Sequence, residues 1–229
     1  MATGITWYGH NCWLLESAGQ RLLIDPFLND SPVAPLKAAD VAAEFVLVSH
    51  GHFDHIADAA SIAKRTSAVV LTNFECGNWL AGQGVAADKI IGMNPGGAVT
   101  QPFGRLKMTP AIHSSSLPDG TYGGAPCGLL LELAGQRLYF ACDTALFSDM
   151  QLIGAAGLDL AVLPIGDRFT MGPDDSLLAT KLLSPQRVAP CHYNTWPPIN
   201  QDAAAWAERI RLETSAIPFV PQIGEAFEI

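Results

Sequence analysis

The sequence predicts an α/β protein of layered sheets, and three features carry that reading. Short apolar runs with strand character alternate with helix-like segments along the whole chain. The stretch Leu15–Leu22 reads Leu-Glu-Ser-Ala-Gly-Gln-Arg-Leu and returns at Leu131–Leu138 as Leu-Glu-Leu-Ala-Gly-Gln-Arg-Leu, which suggests a duplicated sheet-plus-helix unit. No Ser/Gly/Pro tract separates the two halves, so residues 1–229 read as one domain.

Each element has a local reason. Ile5–Tyr8, Cys12–Glu16 and Arg21–Asp25 are apolar runs broken by turn residues such as Ala18-Gly19-Gln20, and read as strands. Phe45–Ser49 is compact and apolar, the signature of a buried strand. Helix Asp58–Lys64, strand Ala68–Leu71, helix Cys76–Gly82 and strand Lys89–Ile91 follow, then strand Leu106–Ile112. Gly128–Leu133 and Arg137–Ala141 make the second hairpin. Beyond it come helix Ser148–Ala155, strand Asp159–Pro164, helix Asp174–Leu183, strand Arg187–Pro190, helix Asp202–Leu212 and a closing strand near Ala226–Ile229. Asp174 and Asp175 suit a helix start after Pro173.

Composition excludes several classes of function. Hydrophobic residues make up 49% and charged ones 15%, a globular balance. No apolar run reaches the roughly 18–20 residues that span a bilayer. The N-terminus lacks the basic and apolar regions of a signal peptide, so a soluble cytoplasmic protein is expected. A formal charge of −9 with no cationic cluster argues against long nucleic acids. Five widely spaced cysteines without a CxxC pair suggest neither disulfides nor a zinc ribbon. Trp196-Pro197-Pro198 permits a homo-oligomer.

The chemistry concentrates at His50-Gly51-His52-Phe53-Asp54-His55. Three imidazoles and a carboxylate in six positions suit a divalent transition metal and are costly for any other purpose. His50 and His52 alternate on extended backbone, so their rings point the same way. Asp54 and His55 follow the turn, where a second ion would sit. His113, Asp143 and His192 each come just after a predicted strand, where α/β proteins place their chemistry. The expected split is His50, His52 and His113 on one ion, Asp54, His55 and His192 on the other, and Asp143 bridging. Mixed N/O ligation with open positions fits catalytic zinc, with manganese, iron or nickel as alternatives.

The motif and the later ligands resemble the metallo-β-lactamase superfamily. Its HxHxDH signature stands at 50–55, preceded by Ser49 where Thr is commoner, and its usual Gly-Asp-Thr is Cys142-Asp143-Thr144 here. Further segments (Trp7–His10, Leu23–Leu28, Leu163–Asp167, Thr170–Pro173 and His192–Trp196) are similar to a branch of small metal-dependent hydrolases. That branch is related to the ascorbate-6-phosphate lactonases and the N-acyl-phosphatidylethanolamine phospholipases. The resemblance implies a four-layer αββα sandwich of two mixed sheets flanked by helices. It also implies hydrolysis of an ester or lactone in a small metabolite, phosphorylated or not, by a hydroxide held between two divalent metals. Cleavage of a small phosphodiester and non-catalytic metal binding are the alternatives, and redox chemistry at Cys142 or Cys191 is a third.

Around these ligands, His10 reads either as a satisfied, partly buried histidine after the first strand or as a group near the metals that donates to a substrate oxygen or orients Asp54, which itself holds the nucleophile. Asp25 is expected to accept a hydrogen bond from a ligand imidazole. Asn194 and Thr195 either aim at a substrate oxyanion or tie down the loop before Pro197. The stretch Gly166–Gly172 reads as a pocket wall, and Gly123-Gly124 as a flexible connection.

Overall fold

The computed structural model describes residues 3–229. β1 (Gly4–Trp7), β2 (Trp13–Ser17) and β3 (Gln20–Ile24) form an antiparallel meander. β4 (Phe45–Val48), β5 (Val69–Asn73) and β6 (Ile90–Met93) extend it in parallel. Parallel neighbours need crossovers. Here α1 (Phe53–Ile56) and α2 (Ala59–Thr66) join β4 to β5, and α3 (Phe74–Gly82) joins β5 to β6.

The second sheet repeats the scheme. β7 (Ala98–Gln101), β8 (Gly104–Pro110), β9 (Cys127–Leu133) and β10 (Gln136–Phe140) are antiparallel; β11 (Leu160–Pro164), β12 (Arg187–Cys191) and β13 (Ile217–Pro218) then add in parallel. Their crossovers carry α4 (Met150–Gly154), α5 (Pro173–Leu183) and α6 (Ala203–Glu213). β14 (Ala226–Glu228) returns to the first sheet beside β1.

The sequence echo is therefore a pair of equivalent hairpins, β2–β3 and β9–β10. Each turns on two residues with positive φ, Ala18 (52°) and Gly19 (75°) in one, Ala134 (49°) and Gly135 (88°) in the other. Two left-handed residues in a two-residue loop match the twist of the flanking strands.

Side-chain alternation assigns the layers. Leu22, Ile24, Phe45 and Leu47 join Leu106, Leu129, Leu131 and Leu138 in one apolar cluster that includes residues of both sheets. Leu23, Val46, Val48 and Val70 join Ile62 of α2 and Leu80 of α3 in a second cluster, on the opposite face of the first sheet. Because β3 and β4 are buried on both faces, they read as continuous apolar runs. Sequence reasoning missed β7, whose residues are exposed or half-buried in alternation, and β13, two residues long and ending in proline. The predicted strand Leu106–Ile112 stops at Pro110.

Topology places the chemistry. β1, β3 and β4 run in one direction in the first sheet, and β8, β10, β11 and β12 share a direction in the second. The segments leaving these C-terminal ends meet at one edge of the sandwich.

Candidate metal centre

The histidines and Asp143 come from five separate loops. His10 follows β1, residues 50–55 follow β4, His113 follows β8, Asp143 follows β10 and His192 follows β12. Asp143 lies at the centre. Its Oδ2 is 3.0 Å from His192 Nε2, 3.4 Å from His55 Nε2, 3.4 Å from His113 Nε2 and 3.9 Å from His50 Nε2. His50 Nε2 and His52 Nδ1 are 2.9 Å apart. Three groups of close donor atoms result: His50, His52, His113 and Asp143 in one; Asp54, His55, His192 and His10 in another; and Asp25 with His50 and His55 in a third, behind them.

Hydrogen bonds fix which nitrogen of His50, His52 and His55 faces inward. Asp25, buried after β3, accepts from the Ser49 backbone N–H (2.7 Å), the Ser49 hydroxyl (2.6 Å) and Asn11 (2.7 Å). It also accepts from His55 Nδ1 at 2.8 Å, the contact expected of it, so His55 Nε2 is the nitrogen that faces the interior. Ser49 Oγ, its proton given to Asp25, accepts from His50 Nδ1 at 2.9 Å and frees His50 Nε2. Ser114 Oγ lies 3.3 Å from His52 Nε2, leaving His52 Nδ1 for the interior.

His10 is wholly buried. Its Nε2 is 2.9 Å from Asp54 Oδ2 and its Nδ1 is 2.8 Å from Thr195 Oγ1. Burial, with His192 adding to it, pushes His10 down to about 4, so the ring is neutral at pH 7. A carboxylate can only accept; hence His10 Nε2–H donates to Asp54, and the Thr195 hydroxyl donates to Nδ1. This fits the orienting role rather than direct donation to substrate. Burial alone would raise Asp54, yet His55 and the His10 bond hold it well below the usual carboxylate range. Burial opposes charge on His55 too, but Asp143, Asp54 and Asp25 drive its pKa well upward. The three carboxylates therefore favour positive charge at His55, whereas burial holds His50, His52 and His113 below the usual imidazole value.

Backbone geometry brings the loops this close. His10 (φ 53°), Asp25 (43°), Cys142 (53°) and His192 (52°) all adopt left-handed conformations close beside their strands. An L residue pays about 1 kcal/mol for this, which is why glycine is the commoner residue at the Cys142 position of the signature. Gly166 lies against the His192 loop, where any Cβ would collide with the His192 carbonyl oxygen.

Two expectations need correction. Asn194 does not join the cluster: it is exposed, and its Oδ1 accepts from the Gln201 N–H at 2.8 Å. Of its two expected roles it performs loop-tying, while its neighbour Thr195 turns inward. Gly123-Gly124 is clamped rather than flexible. The Gly123 carbonyl accepts from Asn73 (2.8 Å) and Ser115 (2.9 Å), and a Cβ on Gly124 (φ 76°) would strike Glu75.

A cavity of about 680 Å³ opens onto His52, His113, Asp143 and His192, with Phe53, Leu117, Pro118, Phe169 and Trp196 in its walls. Of these apolar residues, only Phe169 falls in a segment expected to form a pocket wall, Gly166–Gly172. They are scattered over four loops with no periodicity to connect them.

The model of the beta-lactamase superfamily domain matches residues 20–193. The chain belongs to that superfamily. It is 50% identical over 207 residues to a UPF0173 metal-dependent hydrolase of Thermus thermophilus, covering 90% of this chain and 91% of the relative. Identity to the UPF0173 metal-dependent hydrolase of Heliobacterium modesticaldum is 46% over 210 residues, covering 88% and 87%. Among solved structures, Igni18, a metallo hydrolase from the archaeon Ignicoccus hospitalis, superposes with a TM-score of 0.90 at 33% identity, covering 100% of this chain and 99% of that one. The chain is thus a UPF0173 member, in a family of enzymes named for metal-dependent hydrolysis. The αββα architecture of these neighbours is the one described above. Among the described residues no helix is long and apolar enough to cross a membrane.

Proposed function

We propose that the protein hydrolyses an ester or lactone bond of a small metabolite with the help of two divalent cations. His50, His52 and His113 would hold one, Asp54, His55 and His192 the other, with Asp143 shared between them. Zinc suits this nitrogen and oxygen donor set, and manganese, iron and nickel are compatible with it.

The observation that carries the reading is the Asp143 carboxylate, with four imidazole nitrogens within 3.9 Å of one oxygen. A second observation tests the fit. His55 Nε2 and Asp143 Oδ1 are buried without a hydrogen-bond partner among the described residues, a cost that a cation would remove. When bound, divalent cations polarise the scissile carbonyl and lower the pKa of water from about 15.7 toward 7.

The chain's own residues do the rest. Asp25, Ser49 and Ser114 fix the imidazole tautomers. His10 ties down one oxygen of Asp54, leaving the other to orient the attacking water and take its proton. Water's oxygen bonds to the carbonyl carbon, the acyl C–O bond breaks, and the departing alkoxide gains a proton. The products are an acid and an alcohol, or one hydroxy acid from a lactone.

The test is a panel of lactones, carboxylic esters and phosphodiesters given to protein of known metal content, with and without chelator. Ester or lactone turnover lost with the metal and regained on its return is the expected result. Turnover that persists in metal-free protein sinks the reading, and exclusive cleavage of phosphodiesters transfers the activity to another class.

A further inference from the structure

Three features of the cavity go beyond the reaction type and bear on the molecule that undergoes it. Away from the histidines and aspartates its walls are mostly apolar: Phe53 and Trp196 stand with ring centroids 6.1 Å apart, and Leu117, Pro118 and Phe169 join them, with Ser114 and Ser116 the polar exceptions. Two of these rings face solvent, Phe53 with 53% of its surface exposed and Phe169 with 56%. Large exposed aromatics grouped about a cleft mark a binding site more often than chance decoration of a surface. Phe27, buried beneath, lies against both Phe53 (5.6 Å between ring centroids) and Trp196 (5.9 Å) and so supports that wall from behind.

The third feature is electrostatic. The lining contains no Lys or Arg, while Asp54 and Asp143 both contribute to it. Arg168 is adjacent in sequence, but its guanidinium packs over the Phe169 ring at 5.6 Å. A phosphorylated tail would meet no cationic side chain in this wall, and an apolar tail would bury the exposed rings.

From this we infer that the substrate is an uncharged carboxylic ester or lactone bearing an apolar substituent several carbons long, seated between Phe53, Trp196 and Phe169. The inference rests on the hydrolase reading for the bond that is cleaved, and on the cavity wall for the group that is held.

The experiment compares γ-butyrolactone with γ-decalactone, which share a ring and scissile bond and differ only in the tail. In parallel it follows binding of the neutral fluorescent probe N-phenyl-1-naphthylamine. The metal-loaded protein should favour γ-decalactone in kcat/KM by about tenfold or more. Phe169→Ala should reduce that preference and weaken probe binding, each about tenfold. Leu212→Ala, an exposed leucine on α6, should leave both unchanged. Equal turnover of the two lactones without probe binding overturns the apolar pocket while the hydrolase reading stands. Probe binding that depends on Phe169, without turnover of any ester or lactone, overturns the hydrolase reading and supports the pocket.

Discussion

The two donor groups around Asp143 are supported in different ways. In the deeper group, His55 is held by Asp25, and Asp54 is held by His10, which Thr195 holds in turn. In the group more open to the cavity, which Asp54 and His192 of the other group also line, His50 is held by Ser49, but His52 has only the longer Ser114 contact, and His113 is partly exposed. Supporting hydrogen bonds orient a ligand before a metal arrives, so they raise affinity without touching the ion. The two proposed positions should therefore differ in how tightly they retain a cation. The deeper one should fill first and empty last.

The strongest loss should come from the residue common to both. Asp143→Ala is expected to remove both cations and lower turnover by more than about a hundredfold, the upper range for a residue that merely supports a ligand. Metal content and kcat/KM measured on the same preparation check it. Retention of two ions would erase the distinction between the positions altogether. Next, Asp25→Asn should weaken the deeper position about 10–100-fold in a competitive chelator titration, and the other position by less, through Ser49 and His50. Ser114→Ala should weaken the cavity-facing position only a few fold, because a 3.3 Å contact is long. Equal effects from these two variants would mean that the groups are supported alike.

The thiols should matter far less than either donor group. Burial raises the pKa of Cys142 and Cys191 well above the usual value, so both are protonated at neutral pH. Alkylating reagents should leave turnover unchanged unless the protein is first unfolded. Cys76, pushed up to about 12 by burial, sets a pH window for the fold itself. Its contribution to stability is fully present below the unfolded thiol pKa of about 8.5 and is lost as pH climbs toward 12. Urea midpoints at pH 7 and pH 10 should therefore fall in that order. Smallest of all, Cys142→Gly should change stability by no more than about 1 kcal/mol, since relief of the left-handed backbone offsets the lost side chain and the added chain entropy.

Most of the centre was legible because its densest part is local. Six consecutive residues carry four of the donors, and strand ends supply the others. Asp25 could be anticipated as well, since a carboxylate ending an apolar strand near a histidine cluster has few other uses. What escaped depended on chain direction within loops. Asn194 and Thr195 are neighbours of similar polarity, yet left-handed turns at His192 (φ 52°) and Asn194 (φ 58°) send one outward and the other to His10. No spacing rule reports such a reversal. Most of the cavity wall escaped for a related reason: outside the Gly166–Gly172 stretch, residues such as Phe53 and Leu117 acquire their meaning only when separate loops fold together.

The left-handed residues beside the strands also set the terms of sequence drift. At His10, Asp25, Cys142 and His192, glycine, asparagine and aspartate are tolerated by the backbone, whereas valine, isoleucine and threonine are all but barred. A library aimed at new substrates therefore has its freedom at Phe53, Leu117 and Phe169, and almost none at the four pivots that carry the chemistry.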